Sequence, residues 1–141
     1  MSKLKNYIGV KLIKAAPASK NGKEGYEVVY ANPDGTSYTS WSPADVFERA
    51  YFPIEYEDRI SDGDIQAFLE SSEVLVETRN GKTTLVEITT PTGWEDLATS
   101  SCVSPENYDK NLGKKYALEH IKNRLWKHFG FLLQWARYGL K

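Results

Sequence analysis

The chain has 141 residues, 40% of them hydrophobic, with 19 acidic and 18 basic side chains and a single cysteine. It is long enough for one domain or two small packed units, and it can bury a core without disulfides or a metal. One cysteine excludes an intrachain disulfide and a multi-cysteine zinc site; with no apolar run of spanning length and none at the start, a soluble intracellular protein without a signal peptide is expected.

The near-neutral total hides a partition. Residues 1–44 carry six Lys against three acids, residues 45–109 fifteen acids against four Lys/Arg, and residues 110–141 eight Lys/Arg against Glu119 alone. Two arrangements accommodate it. The basic C-terminal region lies against the acidic middle or faces water, or the acidic middle docks a basic partner or mimics nucleic acid.

Residues 7–15 alternate loosely and read as a strand, followed by a loop over 16–25 rich in Lys, Asn and Gly. Residues 26–30 are a β-prone run, Asn32-Pro33-Asp34-Gly35 has the composition of a tight turn, and residues 37–41 return as a strand. Ser42-Pro43-Ala44-Asp45 then opens a short helix over 43–51, with Ser42 as cap and Pro43 at the first helical position. Residues 1–56 thus form an N-terminal β-meander and helix module, and residues 57–141 a hairpin-plus-helix domain.

In the second unit, Ser61-Asp62-Gly63-Asp64 starts a helix over 61–70 with Ile65, Phe68 and Leu69 on one side. The runs 73–78 and 83–90 flank Asn80-Gly81, a strong hairpin signal. A two-residue turn there pairs Arg79 with Lys82, Val76 with Leu85 and Leu75 with Val86. Apolar pairs on both faces imply a hairpin covered on both sides. Pro91-Thr92-Gly93 turns the chain into a strand over 94–103, where Cys102 is a small, half-buried residue in phase with Ala98.

Ser104-Pro105-Glu106-Asn107 reads as the third helix start. Tyr108 and Leu112 are expected beneath the hairpin, and Gly113 allows close approach. In the last helix Ala117, Leu118, Ile121, Leu125, Phe129 and Leu132 share one stripe. Gly130 interrupts the run from Lys114 to Tyr138, so a break is expected there, with Leu133, Trp135 and Tyr138 packing after it. The fold class is α+β: a small antiparallel N-terminal meander with a short helix, then a hairpin-based antiparallel sheet packed by a C-terminal helix.

No catalytic set emerges. The bases on offer to Cys102 are His120, on another side of the helix, and His128, on the apolar stripe as a core histidine. Two histidines eight residues apart do not chelate on a helix, and no phosphate-cradling glycine pattern exists. Lys115 and Lys122 project to one side while Arg124 and Lys127 point elsewhere, so direct nucleic-acid binding is not expected. The chain therefore reads as a non-enzyme without cofactor or metal. Two candidate surfaces remain. The acidic stretch Glu55, Glu57, Asp58, Asp62 and Asp64 suits a protein partner. The helix start with Ser100, Ser101, Asn107, Tyr108 and Lys114 suits an anionic ligand such as a nucleotide. The aromatics Trp41, Trp94 and Trp135 leave a homodimer open.

The order Thr92-Gly93-Trp94, Ser101-Cys102-Val103, Pro105-Glu106-Asn107-Tyr108, Leu112-Gly113-Lys114, Ala117, Trp126 and Leu132-Leu133 resembles the gp forty-nine/gene sixty-six family of small tailed-phage proteins, over roughly residues 61–140. Tyr7-Ile8-Gly9-Val10-Lys11, Gly25-Tyr26-Glu27-Val28, Ser40-Trp41-Ser42-Pro43 and Val46-Phe47 resemble the segment that some phage proteins carry ahead of an anti-Thoeris sponge-type domain. The sponge domain itself is absent. These resemblances imply a phage or prophage accessory protein in the host cytoplasm, binding and modulating a host protein in counter-defence, or a nucleotide-signal sponge. Neither carries a biochemical activity.

Overall fold

The computed structural model describes residues 2–141 and divides the strands between two three-stranded antiparallel sheets. The first is β1 (Lys14–Pro17), β2 (Gly25–Ala31) and β3 (Ser37–Pro43), followed by helix α1 (Ala44–Ala50). The second is β4 (Glu73–Arg79), β5 (Thr83–Thr89) and β6 (Glu95–Ser101). Helix α2 (Asp62–Glu70) precedes it, and a 3-10 turn (Pro105–Asn107) and the long helix α3 (Lys110–Tyr138) follow. Both sheets are simple meanders, and α3 packs on β5 and β6. The expected α+β class is the one that forms.

In the first sheet, the turn at Asn32 closes through the Gly35 N–H, which donates to the Asn32 carbonyl at 3.1 Å. Hydrogen bonds from Thr36 hold the Asp34 carboxyl below its ordinary pKa. Val28 is buried, the Tyr26 ring stacks on Phe47 at 4.1 Å, and the Trp41 indole N–H donates to the Ala18 carbonyl at 2.7 Å. The strand expected over 7–15 is mostly absent. Pairing begins at Lys14, opposite Val29, so residues 7–11 overrun the end of β2, where the chain turns away at Asn32. Ser42 does not cap α1. It is paired with Tyr26 in the β3 ladder, and the helix cap is Pro43 without a side-chain bond.

Ser61 does cap α2, in a reciprocal box with Asp64, and Ile65, Phe68 and Leu69 are buried as expected. The β4–β5 hairpin turns at Asn80 and Gly81, both in the left-handed region (φ 54 and 68). Its register nevertheless differs by one from the expected pairing. Arg79 faces Thr83, Val76 faces Val86 and Leu75 faces Glu87, so Lys82 joins the loop. A slip of one residue exchanges the faces of a strand. Val86 and Ile88 therefore point into the core with Thr84, while Leu75 is 65% exposed on the outer face. The hairpin is covered on one side only.

Helix α3 starts four residues before Lys114. Ser104 leads only the 3-10 turn and makes no cap; Asp109 caps the helix instead, its carboxylate accepting the N–H groups of Asn111 (3.0 Å) and Leu112 (3.2 Å). Nor does it break at Gly130. One glycine costs a helix about 1 kcal/mol, too little to end a 29-residue element. Gly113, Ala117, Ile121 and Leu125 form the buried stripe. A four-residue spacing advances about 40° per step, so the stripe drifts to Phe129, which packs on Phe68 at 4.9 Å. Leu132 is exposed, and so is His128, which the stripe had placed in the core.

At Gly113 the helix meets the sheet. A Cβ there would lie 2.8 Å from the Thr84 Cβ and closer still to its hydroxyl. Tyr108 reaches beneath the hairpin as expected, and its hydroxyl lies 2.8 Å from Thr78 Oγ1 and 2.9 Å from Thr84 Oγ1. Leu112, on the far side of the helix, is exposed.

The two glycines of α3 should respond oppositely to alanine. Gly113→Ala is expected to lower stability by about 1–3 kcal/mol through overpacking. Gly130→Ala, with nothing near a new Cβ, should raise it by about 0.5–1 kcal/mol through helix propensity. Urea unfolding followed by circular dichroism measures both.

Candidate functional site

The acidic stretch lies on the connection between α1 and α2. Phe52 anchors its start, meeting Phe68 edge-on at 5.2 Å, and Pro53 keeps the chain from continuing as helix. Asp64 anchors its end. One carboxylate oxygen accepts the Ser61 N–H at 2.9 Å, and the other accepts the Glu55 N–H at 3.0 Å. Asp64 is 6% exposed. It therefore belongs to the frame that shapes the acidic loop and is not a contact for a partner.

The other four carboxylates are exposed on that frame. Glu57 lies 3.7 Å from Lys14, Asp58 is 3.2 Å from Arg59, and Asp62 is 3.5 Å from Lys122 of α3. Arg124 pairs with Asp96 of β6 at 2.7 Å. Part of the basic C-terminal region thus lies against the acidic middle. Exposed pairs of this kind contribute little, about 0–1 kcal/mol each, so a better-placed cation can displace them. Glu55 carries no ion pair among the described residues.

Beside this loop runs a groove of about 300 Å³ between residues 58–60 and the C-terminal half of α3. Ile60, Trp126, Leu133 and Tyr138 supply its apolar lining, and Arg59 and Arg137 its cations. Gly130 also lines it, so the bare helix surface there adds room between Trp126 and Leu133. Arg137 ties the groove shut at one end by donating to the Glu57 carbonyl at 2.8 Å. Its bond to Tyr138 and the nearby Glu57 and Asp58 carboxylates hold the guanidinium even more firmly protonated than usual. The Arg59 guanidinium sits 3.7 Å over the Tyr56 ring. Such a groove, apolar along its length with charges of both signs at its rim, suits a peptide segment carrying an apolar anchor and basic flanks.

The residues at the start of α3 have internal duties. The Tyr108 hydroxyl is bound to the two threonines, Ser101 Oγ lies 2.7 Å from Thr83 Oγ1, and Ser100 is half-buried opposite Thr84. Asn107 and Lys114 are exposed. The Asp109 carboxylate already occupies the helix start, where an anion would otherwise sit. Cys102 is half-buried with Sγ 3.2 Å from the Ser104 carbonyl, and His120 is exposed. Among the described residues, no three His, Cys, Asp or Glu side chains gather to hold a metal ion, and no helix is long and apolar enough to cross a membrane.

Sequence reasoning missed Arg59, Trp126 and Arg137, which meet only because α3 folds back past the α1–α2 connection. The exposed glycine at 130 was the one available signal, and it had been read as a helix break.

Residues 47–136 match the model of the family described as Phage protein (N4 Gp49/phage Sf6 gene 66). The match runs from α1 into the last turns of α3. It takes in the second sheet, the acidic loop and most of the groove, and leaves the first sheet outside. No curated protein and no solved structure matches the chain.

Two substitutions separate frame from surface. Asp64→Ala removes the reciprocal half of the capping box and leaves the Ser61 and Glu55 N–H groups without their acceptor, and should cost about 2 kcal/mol. Glu55→Ala, whose side chain holds nothing, should change stability by less than about 0.5 kcal/mol in the same unfolding assay.

Proposed function

The chain belongs to the Phage protein (N4 Gp49/phage Sf6 gene 66) family, and from that premise we propose that it is a non-enzymatic accessory protein that binds and modulates a host protein in the host cytoplasm. The observation that carries this reading is the groove beside the acidic loop. Asp58 lines an apolar trough of about 300 Å³, and Glu55, Glu57 and Asp62 are exposed along the segment beside it. Asp64 holds that loop in shape from within. A basic segment of a partner would exchange weak intramolecular ion pairs for its own, and bury an apolar side chain against Trp126 and Leu133.

The long-range field supports the same partner chemistry. Residues 45–109 carry fifteen acids against four Lys/Arg, and the exposed carboxylates among them favour encounter with a partner of opposite charge. Counter-defence is the finer part of this proposal: it rests on the sequence resemblance of the N-terminal segment alone, which lies outside the matched residues 47–136, and the groove is the surface through which it would act.

The test is capture of host proteins from bacterial lysate on the tagged chain, with mass spectrometry of the eluate before and after heat denaturation. A stoichiometric host protein is expected with the native chain. It should be lost from a variant with Glu55, Glu57, Asp58 and Asp62 changed to Lys, whose circular dichroism spectrum stays native. Capture that survives the reversal would place the contact elsewhere. A nucleotide released by heat, with no protein captured, would replace this reading with ligand binding at Asn107, Tyr108 and Lys114.

A further inference from the structure

The chain presents more surface than a compact monomer should. Its accessible area is 10700 Å², against roughly 7,400 Å² from the scaling for globular monomers of 16.0 kDa. Two features account for part of the difference, and they are complementary.

The first is the N-terminal arm. Residues 2–9 are all exposed, with Leu4 at 101%, Tyr7 at 89% and Ile8 at 82%. Its sequence, Lys3-Leu4-Lys5-Asn6-Tyr7-Ile8-Gly9, alternates as a strand does. Leu4, Asn6 and Ile8 fall on one side, Lys3, Lys5 and Tyr7 on the other. Yet β2 ends before it could pair with these residues. A strand pattern is written here with no strand beside it in the same chain.

The second is β4. It is the edge of its sheet and seven residues long, and only Val76 is not exposed. Its sequence, Glu-Val-Leu-Val-Glu-Thr-Arg, is β-prone and has no proline, no bulge and no covering helix, because α3 lies over β5 and β6. Only the charges of Glu73, Glu77 and Arg79 guard it, and they suit a strand of complementary charge. An open edge of this kind templates the addition of another strand. Its faces are also sorted. Val74, Val76 and Thr78 point to the core side, and Glu73, Leu75 and Glu77 to the outer side. The opposite edge, β6, is less open, since Arg124 donates to the Leu97 carbonyl at 2.8 Å.

We propose that a second copy of this chain covers the edge of β4, its residues 3–9 adding as a fourth strand in a reciprocal exchange of arms. The seven arm residues match the seven of β4 in length. In this pairing Leu4 and Ile8 extend the core side beside Val74 and Val76, where α3 leaves the sheet uncovered. With the arm parallel to β4, Lys3 stands on the outer side opposite Glu73, and Lys5 lies diagonal to both Glu73 and Glu77. The contact is isologous, so two exchanges close a two-fold dimer and leave no open edge at β4. The excess surface is larger than the roughly 1,600 Å² that a standard interface buries. The inference is independent of the host-protein reading, because the acidic loop and its groove lie outside the contact.

Sedimentation equilibrium of the full chain, with amide hydrogen exchange resolved along β4, tests it. A dimer is expected, with the β4 amides protected. Leu4→Glu with Ile8→Glu should give a folded monomer whose β4 amides exchange fast. Lys3→Glu with Lys5→Glu should weaken dimerisation about tenfold, one direct pair with Glu73 and the diagonal contacts of Lys5 being reversed in each arm. Adding Glu73→Lys and Glu77→Lys to that chain should restore it. A monomeric native chain would overturn the proposal, with protected β4 amides then meaning that the arm folds onto its own sheet. A dimer indifferent to the arm substitutions would overturn it equally.

Discussion

A helix can lie close on a sheet only where no side chain holds the two backbones apart. In this protein that place is Gly113 against Thr84. The missing Cβ lets the first turn of α3 settle onto β5, and the Thr84 hydroxyl fills the space. Tyr108 fixes the geometry from the other side, its hydroxyl spanning Thr78 and Thr84, which are opposite one another in the β4–β5 ladder. From that point Ala117, Ile121 and Leu125 follow at equal spacing over Val86, Ile88 and Ala98. The small residues come first and the large ones later along the stripe. The last turns of α3 reach the α1–α2 connection and form the groove.

The acidic loop depends on the reach of the last turns of α3 and on Asp64. A segment so rich in carboxylates repels itself and has little reason to hold one shape. Asp64 spends its own charge inward, on two loop N–H groups and the α2 start. Arg137 reaches back to the Glu57 carbonyl from the far end of α3. The remaining acids are thereby presented outward from an ordered backbone. This is the physical content of the division between frame and surface: one of five similar residues builds the site, and four are left to use it.

Both ends of the chain expose apolar side chains that the core of the second sheet does not use. The matched segment, 47–136, contains the core and most of the groove. The arm lies before it, and the exposed Tyr138 and Leu140 lie after it. The second sheet has its core without the arm, which leaves the arm free to satisfy an edge elsewhere.

Much of this fold was legible in local sequence. The meander turn at Asn32, the α2 cap, the Asn80-Gly81 reversal and the Gly93 turn are decided by residues next to one another, through φ preference and short-range hydrogen bonds. So are the α+β class and the apolar face of α2. The errors share another cause. Ser42 carries a cap signal, but the ladder with β2 claims it. Ser104 carries one too, but Asp109 lies nearer the residues that pack. The hairpin register depended on which face of β5 would be buried under α3. Gly130 reads as a break because glycine is a poor helix former, a local cost of about 1 kcal/mol that the packing of α3 outweighs. The acidic stretch was visible as composition, but its division into one buried and four exposed carboxylates was not. Sequence by itself determined where the chain turns and, apart from the strand expected over 7–15 and the helix start at Ser104, which segments are helix or strand, since those are local equilibria. Tertiary structure alone decided register, helix length and the groove, because each depends on which surfaces meet after the chain has collapsed.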